Sequence, residues 1–400
     1  MVNSQPLRIA IVGCGTAGPA AAVLLCRQGH EVVLFERADE CKAVGAGFLL
    51  QPSGMMVLKE LGILDEVLGH AAKVDRLHVL DADGDTLLDL SYGEIGEESF
   101  GAGLHRPVLL HHLLKAMNEA GVNVCWGWEI EEVSRAENRW TLQSADGKEC
   151  GGFDLLVVAD GARSKLRDLA GRGGVNRGYP WGAHWFIGTN DGVFPENELY
   201  QVVQGTRKLA GFLATGRDLD GGQPLVSLFW SVRIDDDAAW RARPLDEWKQ
   251  EILALCPKSA GLLDQIDSWD QILTARYGDV RMRRWHGDGI VVLGDAAHAM
   301  SPQLGQGVNL ALADASCLAD CIARHPLPQA LFRYQRRRRL ALRYYQLATR
   351  WLTPWFQSDY ECLTPVRRVF FGISRRIRWA RLLMTASMAG LVGSARPAKD

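Results

Sequence analysis

The sequence predicts an α/β protein: a mostly parallel, doubly wound sheet with helices, an antiparallel sheet interleaved with it, and a helical C-terminal segment. Three observations carry that expectation. Apolar runs at residues 7–12, 153–159 and 290–293 each end in a turn containing glycine, the pattern of parallel strands buried on both faces. Between residues 167 and 289, aromatic side chains interleave with strand-like segments separated by glycine turns, which suits an antiparallel sheet. After residue 330, apolar residues recur at three- and four-residue steps, the period of a helix. With 400 residues, 47% hydrophobic and 23% charged, the chain can build two or three units with ordinary cores.

The first unit is the most explicit. The run at 7–12 is followed at once by Gly13-Cys14-Gly15-Thr16-Ala17-Gly18. A helical stretch over 19–28, a Gly29-His30 stop, a second strand over 31–35 and Glu36-Arg37 come next. The glycines have separate tasks: a tight turn, approach of backbone to a pyrophosphate, and close packing of helix on strand. The helix N-terminus, which Thr16 and Ala17 precede as further cofactor-binding candidates, turns unpaired N–H groups toward phosphates. Glu36, with Arg37 beside it, closes the second strand where ribose hydroxyls would donate to an acid. An acid there disfavours a 2′-phosphate, so the expected ligand is the adenosine half of NAD or FAD. This unit alone does not choose between them.

Two further turns follow. The run at 153–159 leads into Asp160-Gly161-Ala162-Arg163-Ser164. The run at 290–293 leads into Gly294-Asp295, then Pro302, then Gly305-Gln306-Gly307-Val308-Asn309 at the start of a helix over 310–322. Ligands of such sheets collect at the carboxyl ends of the strands. Asp295 suits a ribitol hydroxyl, and the backbone N–H groups of Gly305-Gln306-Gly307 suit an electron-rich ring edge.

In this order, the three motifs resemble those of the group A flavoprotein monooxygenases, a family that includes para-hydroxybenzoate hydroxylase and the ubiquinone-biosynthesis hydroxylases, over residues 7–325. The resemblance implies a Rossmann-like FAD-binding domain of residues 1–73, 100–178 and 276–325. It implies a substrate domain of residues 74–99 and 179–275, followed by basic helices over 326–400. One noncovalent FAD would have Gly13, Gly15 and Gly18 on its pyrophosphate, Glu36 on the adenosine ribose and Asp295 on the ribityl chain or pyrophosphate. Gly305, Gln306, Gly307, Val308 and Asn309 would lie along the isoalloxazine. Asp160 and Gly161 would serve both FAD and transiently bound NADH or NADPH. Gly47, in a glycine-containing segment over 42–51, and Arg106, in Leu104-His105-Arg106-Pro107, match two smaller FAD contacts. A guanidinium pairs well with a diphosphate. Pro302 would stand beside the reactive face of the flavin.

The implied reaction is hydroxylation of a small aromatic or heteroaromatic substrate, with NAD(P)H and O2 as co-substrates and a flavin C4a-hydroperoxide as oxygen donor. No nucleophilic triad is required, since the cofactor carries the chemistry while the protein supplies position and excludes water. A base that deprotonates a phenol or ring N–H would help, and His184 and Tyr200 are candidates by position alone. A halogenase on the same FAD motifs is the competing reading. Such enzymes carry Trp-x-Trp-x-Ile-Pro; Trp126-Gly127-Trp128-Glu129-Ile130 begins that pattern, but Glu131 stands in place of proline. A reductase or epoxidase of a lipophilic substrate is a further alternative. A flavin-binding scaffold is disfavoured by the intact ligand segments.

Charge is uneven along the chain. Of 45 lysines and arginines, 15 fall after residue 329, against 3 of the 47 acids; a tail of net +12 therefore follows a body of net −14 behind the overall −2. The overall balance argues against nucleic-acid binding. A helix over 331–350, with Leu331, Tyr334, Leu342 and Tyr345 on one side, precedes a loop bracketed by Pro354 and Pro365. Val366, Val369, Phe370, Ile373, Ile377, Ala380 and Met384 then form one apolar stripe with arginines on the other faces. The stripe is expected either to pack on the acidic body or to make peripheral contact with an anionic membrane. Nine cysteines without pairing or metal-ligand spacing, and no signal peptide, point to a reducing cytoplasm and no metal site. A monomer or homodimer is expected.

Overall fold

The computed structural model describes residues 5–40, 47–171 and 174–393. At its centre lie six strands in the order His286–Gly287, Ile290–Val292, Leu155–Val158, Arg8–Val12, Glu31–Phe35 and Asn123–Cys125. Every neighbour pair is parallel except the short edge strand His286–Gly287. Ile9, Ile11, Leu34, Val157 and Val291 are fully buried, as strands covered on both faces require. Helix Ala17–Arg27 connects the first two of these strands in sequence and packs on helix Gly307–Arg324. Its close seat depends on Gly18. A Cβ at that position would lie 2.0 Å from the Gly13 carbonyl oxygen, so no other residue fits without moving the backbone.

The second layer is a seven-stranded sheet in the order Leu273–Met282, Gly174–Thr189, Leu225–Arg233, Lys208–Gly216, Glu198–Gln204, Arg76–Asp81 and Thr86–Ser91. It is antiparallel except where Glu198–Gln204 runs beside Arg76–Asp81. Alternation along each strand sorts its side chains onto two faces. Phe186, Phe212, Leu228 and Trp230 turn toward helix Leu245–Leu255, whose Trp248 and Ile252 are fully buried. Trp185, Leu199, Leu213 and Phe229 turn the other way, over a cavity. A small sheet of Gly47–Leu50, Gly101–His105 and Ala72–Val74 joins the two layers.

Helices Leu327–Phe356, Leu363–Ser374 and Arg378–Met388 follow. The first buries Leu331, Tyr334, Leu342 and Tyr345, the side the sequence assigns to packing. It runs on through Pro354 to Phe356 where a loop is expected. A proline in the last turn forfeits one hydrogen bond, and Pro365 sits in the first turn of the next helix, where its missing N–H has no helical partner to lose.

The expected single apolar stripe is broken near Ile377 and partly inverted. Arg367 and Phe371 point inward while Val366, Val369 and Ile373 face outward. Burial of Arg367 is made tolerable by donation to the carbonyls of Gly205 (2.8 Å) and Trp355 (2.6 Å). Its guanidinium also lies over the Phe356 ring, and desolvation pulls its pKa down to about 10. Other tail arginines pair with the acidic body: Arg368 with Asp81 and Asp83, Arg381 with Glu94. Among the described residues, no helix is long and apolar enough to cross a membrane.

Candidate active site

A cavity of about 1210 Å³ lies between the carboxyl ends of the central strands and the inner face of the seven-stranded sheet. Three turns distant in sequence meet there. Gly15, Thr16 and Ala17 come from the first, Gly161 from the second and Asp295 from the third. Pro302, Gly305, Gln306, Gly307 and Val308 form the continuing loop, and Gly47 and Arg106 add to the wall. Gly305 has φ 61°, a left-handed conformation that lets the short Pro302–Leu304 turn feed directly into helix Gly307–Arg324. That helix therefore starts at the cavity, with unpaired N–H groups and its positive end toward it. Arg106 starts helix Arg106–Glu119, and its surface opens onto the cavity. Its guanidinium makes no hydrogen bond or ion pair with a described residue. Desolvation lowers its pKa against the opposing pull of Asp295. A cation facing the cavity near an acid, without a partner among the described residues, suits a diphosphate.

Other sequence candidates shape the site without lining it. Gly13 and Gly18 form the turn beneath the first helix. The Glu36 carboxylate accepts from the N–H groups of Cys14 (2.7 Å) and Ala38 (3.1 Å), while Arg37 is exposed. Asp160 lies behind Gly161, with one carboxylate oxygen unpartnered and its pKa raised by burial. Asn309 is fully buried and braces the loop: its Oδ1 accepts from the Gln51 N–H (2.8 Å) and its Nδ2 donates to the carbonyls of Leu49 (3.3 Å) and Gly305 (3.0 Å). Residues 42–46 of the segment expected along the flavin lie outside the described residues.

The two candidate bases are not brought to the cavity. His184 is on the opposite face of the sheet, fully buried, with its Nε2 3.0 Å from Asp237 Oδ1 and its ring against Trp248 and Trp269. Tyr200 shares that face, packed near Phe194 and Phe212 with the Lys258 ammonium 3.3 Å from its ring centre. Their neighbours Trp185, Leu199 and Gln201 line the cavity instead, because a strand turns alternate residues to alternate faces. Trp126 and Gly127 form a turn, and Trp128 packs on Phe35 outside the cavity.

The FAD binding domain family matches residues 7–343. The chain belongs to this family. Similar proteins include 3-amino-4-hydroxybenzoate 2-monooxygenase from Streptomyces cremeus, 29% identical over 345 residues and 82% of each chain. A putative 2-heptyl-3-hydroxy-4(1H)-quinolone synthase from Rhodococcus erythropolis is 29% identical over 355 residues and 86% of each chain. Among solved structures, Pseudomonas aeruginosa PqsL in complex with 2-aminobenzoylacetate superposes with a TM-score of 0.78 at 26% identity, over 92% of this chain and 99% of that one. The protein is thus an FAD-dependent aromatic monooxygenase of group A.

Several parts of this monooxygenase's site carry no local sequence signal. Asp314 is buried within helix Gly307–Arg324 and accepts from the Gly294 N–H (3.0 Å), His298 Nε2 (2.5 Å) and Arg338 Nε (2.7 Å). It thereby pins the turn that carries Asp295. An acid on the apolar face of a helix is a signal that could have found it, since such a group needs a buried partner. The C-terminal helices tie down the loop: Ser301 to Thr353 (2.7 Å), Gln303 to Gln357 (2.7 Å) and Gln306 to the Met388 carbonyl (2.5 Å). Gln51 accepts from the Tyr92 hydroxyl (2.5 Å), leaving its own Nε2 unpartnered beside Gly305.

Proposed function

We propose that this FAD-dependent monooxygenase hydroxylates a neutral, lipophilic heteroaromatic ring of the alkyl-4-quinolone kind. The observation that carries the reading is the polarity of the cavity. Beneath the seven-stranded sheet its walls are mainly aliphatic and aromatic, from Leu77, Val79 and Leu213 to Phe229, Phe356 and Phe371, with Gln201, Ser227 and Thr274 as neutral polar groups. Among the described lining residues the only cations are Arg106, beside Asp295, and Arg276, which already pairs with Asp237 (3.2 Å). A benzoate-type anion would enter an apolar space without a free counter-charge, at a cost of several kcal/mol (on the order of 3 or more). A neutral ring with an alkyl chain meets no such penalty, and a relative's named product, 2-heptyl-3-hydroxy-4(1H)-quinolone, has that character.

The residues present fit FAD. Gly15, Thr16 and Ala17 would hold the pyrophosphate with Arg106, and Glu36 retains free lone pairs for ribose hydroxyls. Asp295 would take the ribityl chain, and the start of helix Gly307–Arg324 would face the flavin ring beside Pro302. Bound FAD supplies reduction by NADH or NADPH and activation of O2. Trp185 and Tyr277 also line the cavity; the Trp185 indole N–H is directed to the Tyr277 oxygen, while the Tyr277 hydroxyl hydrogen has no acceptor among the described residues. We assign this hydroxyl, held by Trp185, to the polar edge of the substrate ring. Burial raises the Tyr277 pKa, so it acts as a donor and not as a base.

No histidine or lysine is among the described lining residues. A ring that is nucleophilic without a side-chain base, as C3 of a 4-quinolone is through its ring nitrogen, suits this lining. Overall, NAD(P)H, a proton, O2 and the substrate give NAD(P)+, water and the hydroxylated ring. The test compares NAD(P)H oxidation and product formation with 2-heptyl-4(1H)-quinolone and with 3-hydroxybenzoate. Stimulation and hydroxylation by the first alone are expected; turnover of the benzoate alone refutes the reading.

A further inference from the structure

The outer face of helix Leu363–Ser374 is apolar where a surface helix is ordinarily polar. Val366, Val369, Phe370 and Ile373 follow one another at i, i+3, i+4 and i+7, and Val366, Val369 and Ile373 are 52%, 61% and 55% exposed. The patch extends in both directions. Trp351 of the preceding helix touches Phe370 with ring centres 5.2 Å apart, and Trp379 of the following helix is 69% exposed. A contiguous exposed surface of this kind marks an interaction site. Phe370, Ile373, Trp351 and Trp379 also line the cavity, so the patch is its rim.

Charge singles out the partner. Arg368 and Arg381 are neutralised by Asp81, Asp83 and Glu94. Arg376 and Arg378, exposed on either side of Ile377, have no ion pair with a described residue. Exposed aliphatic and tryptophan side chains flanked by unpaired arginines match the boundary between headgroups and acyl chains of an anionic bilayer. Two short helices of 12 and 11 residues suit a surface position.

We propose that this rim docks on an anionic membrane surface and that the substrate passes from the bilayer directly into the cavity. The loading step rests on the lipophilic-substrate reading above; the docking does not. The FAD-loaded protein is sedimented with vesicles of phosphatidylcholine containing about one-third phosphatidylglycerol, with phosphatidylcholine vesicles as control. Wild type is expected to pellet with the anionic vesicles at low salt and to be released at high salt. V369E and the double variant R376E/R378E alter residues outside the cavity wall. Each is expected to lower partitioning at least about tenfold. Each is also expected to turn over vesicle-dissolved 2-heptyl-4(1H)-quinolone correspondingly more slowly, while matching wild type on detergent-solubilised substrate.

Failure of wild type to pellet overturns the proposal. So does unchanged retention of both variants, or a homodimer that V369E dissociates without any effect on vesicles. Retention is read without turnover, so inactivity toward the quinolone would count against the substrate reading alone.

Discussion

Replacing Asp314 with asparagine should destabilise the protein through the charge it strands. The Asp314 carboxylate is fully buried, 2.7 Å from Arg338 Nε and 2.5 Å from His298 Nε2. Asparagine keeps the shape but cannot neutralise Arg338, whose remaining acceptor is the Leu310 carbonyl at 3.2 Å. Leaving a buried charge without its partner costs about 3–5 kcal/mol. The double variant D314N/R338M removes the stranded cation and should recover at least about 2 kcal/mol relative to the sum of the single losses. Urea unfolding followed by circular dichroism and flavin fluorescence measures all four proteins.

The same side chain predicts a pH dependence. Burial pushes the Asp314 pKa up, but His298 and Arg338 outweigh it and hold the value down at about 2, against 3.8 in an unfolded chain. Its stabilisation is complete above the unfolded value and disappears as pH falls toward 2, so D314N should lose less stability across that window. Loss of the Gly294 tether should also weaken FAD binding about tenfold, or ~1.4 kcal/mol. A D314N protein within about 1 kcal/mol of wild type would refute the role given to this network.

Other substitutions separate cofactor, scaffold and substrate roles. R106M should weaken FAD binding by about ten- to a hundredfold, the worth of a charge-assisted contact, in a fluorescence titration of apoprotein; unchanged affinity would remove Arg106 from the diphosphate site. H184A should cost about 2–3 kcal/mol of stability yet leave kcat/KM of the folded enzyme within about threefold; a hundredfold drop would return His184 to the chemistry. Burial lowers the His184 pKa against the pull of Asp237, so its contribution is complete above about 6.5 and is lost as pH falls through the folded value. Wild type should therefore unfold at lower urea at pH 5 than at pH 7.5, by a margin that shrinks in H184A. Y277F should raise KM for the quinolone about two- to tenfold with little change in kcat; an unchanged KM would exclude Tyr277 from ring recognition.

The turns proposed to hold the cofactor were legible because backbone geometry dictates residue type there. The first glycine turn with its flanking strand and helix, and Gly305 ahead of the last motif's helix, leave few alternatives to glycine, and their order along the chain names the architecture. The substrate half was not legible. Aromatic spacing announced strands, but the phase of a strand decides which residues face the cavity, and a shift of one residue exchanges His184 for Trp185. The C-terminal helices misled for a related reason. Helical period located the stripe, yet Arg367 turned inward because the carbonyls of Gly205 and Trp355, from distant parts of the chain, were placed to receive it. Those helices read as a separate basic tail, whereas Thr353, Gln357 and Met388 anchor the cavity loop at Ser301, Gln303 and Gln306. Long-range pairing of this kind has no local signature.

The decisive experiment is isotopic. Purified FAD-loaded protein is given NADH or NADPH, 2-heptyl-4(1H)-quinolone and 18O2, and the product is analysed by mass spectrometry. One labelled oxygen atom in the ring, with NAD(P)H consumed in equal amount, is the expected result. A colourless protein that fails to bind FAD, or a product whose oxygen comes from water, would contradict the assignment of this cavity to flavin-dependent hydroxylation.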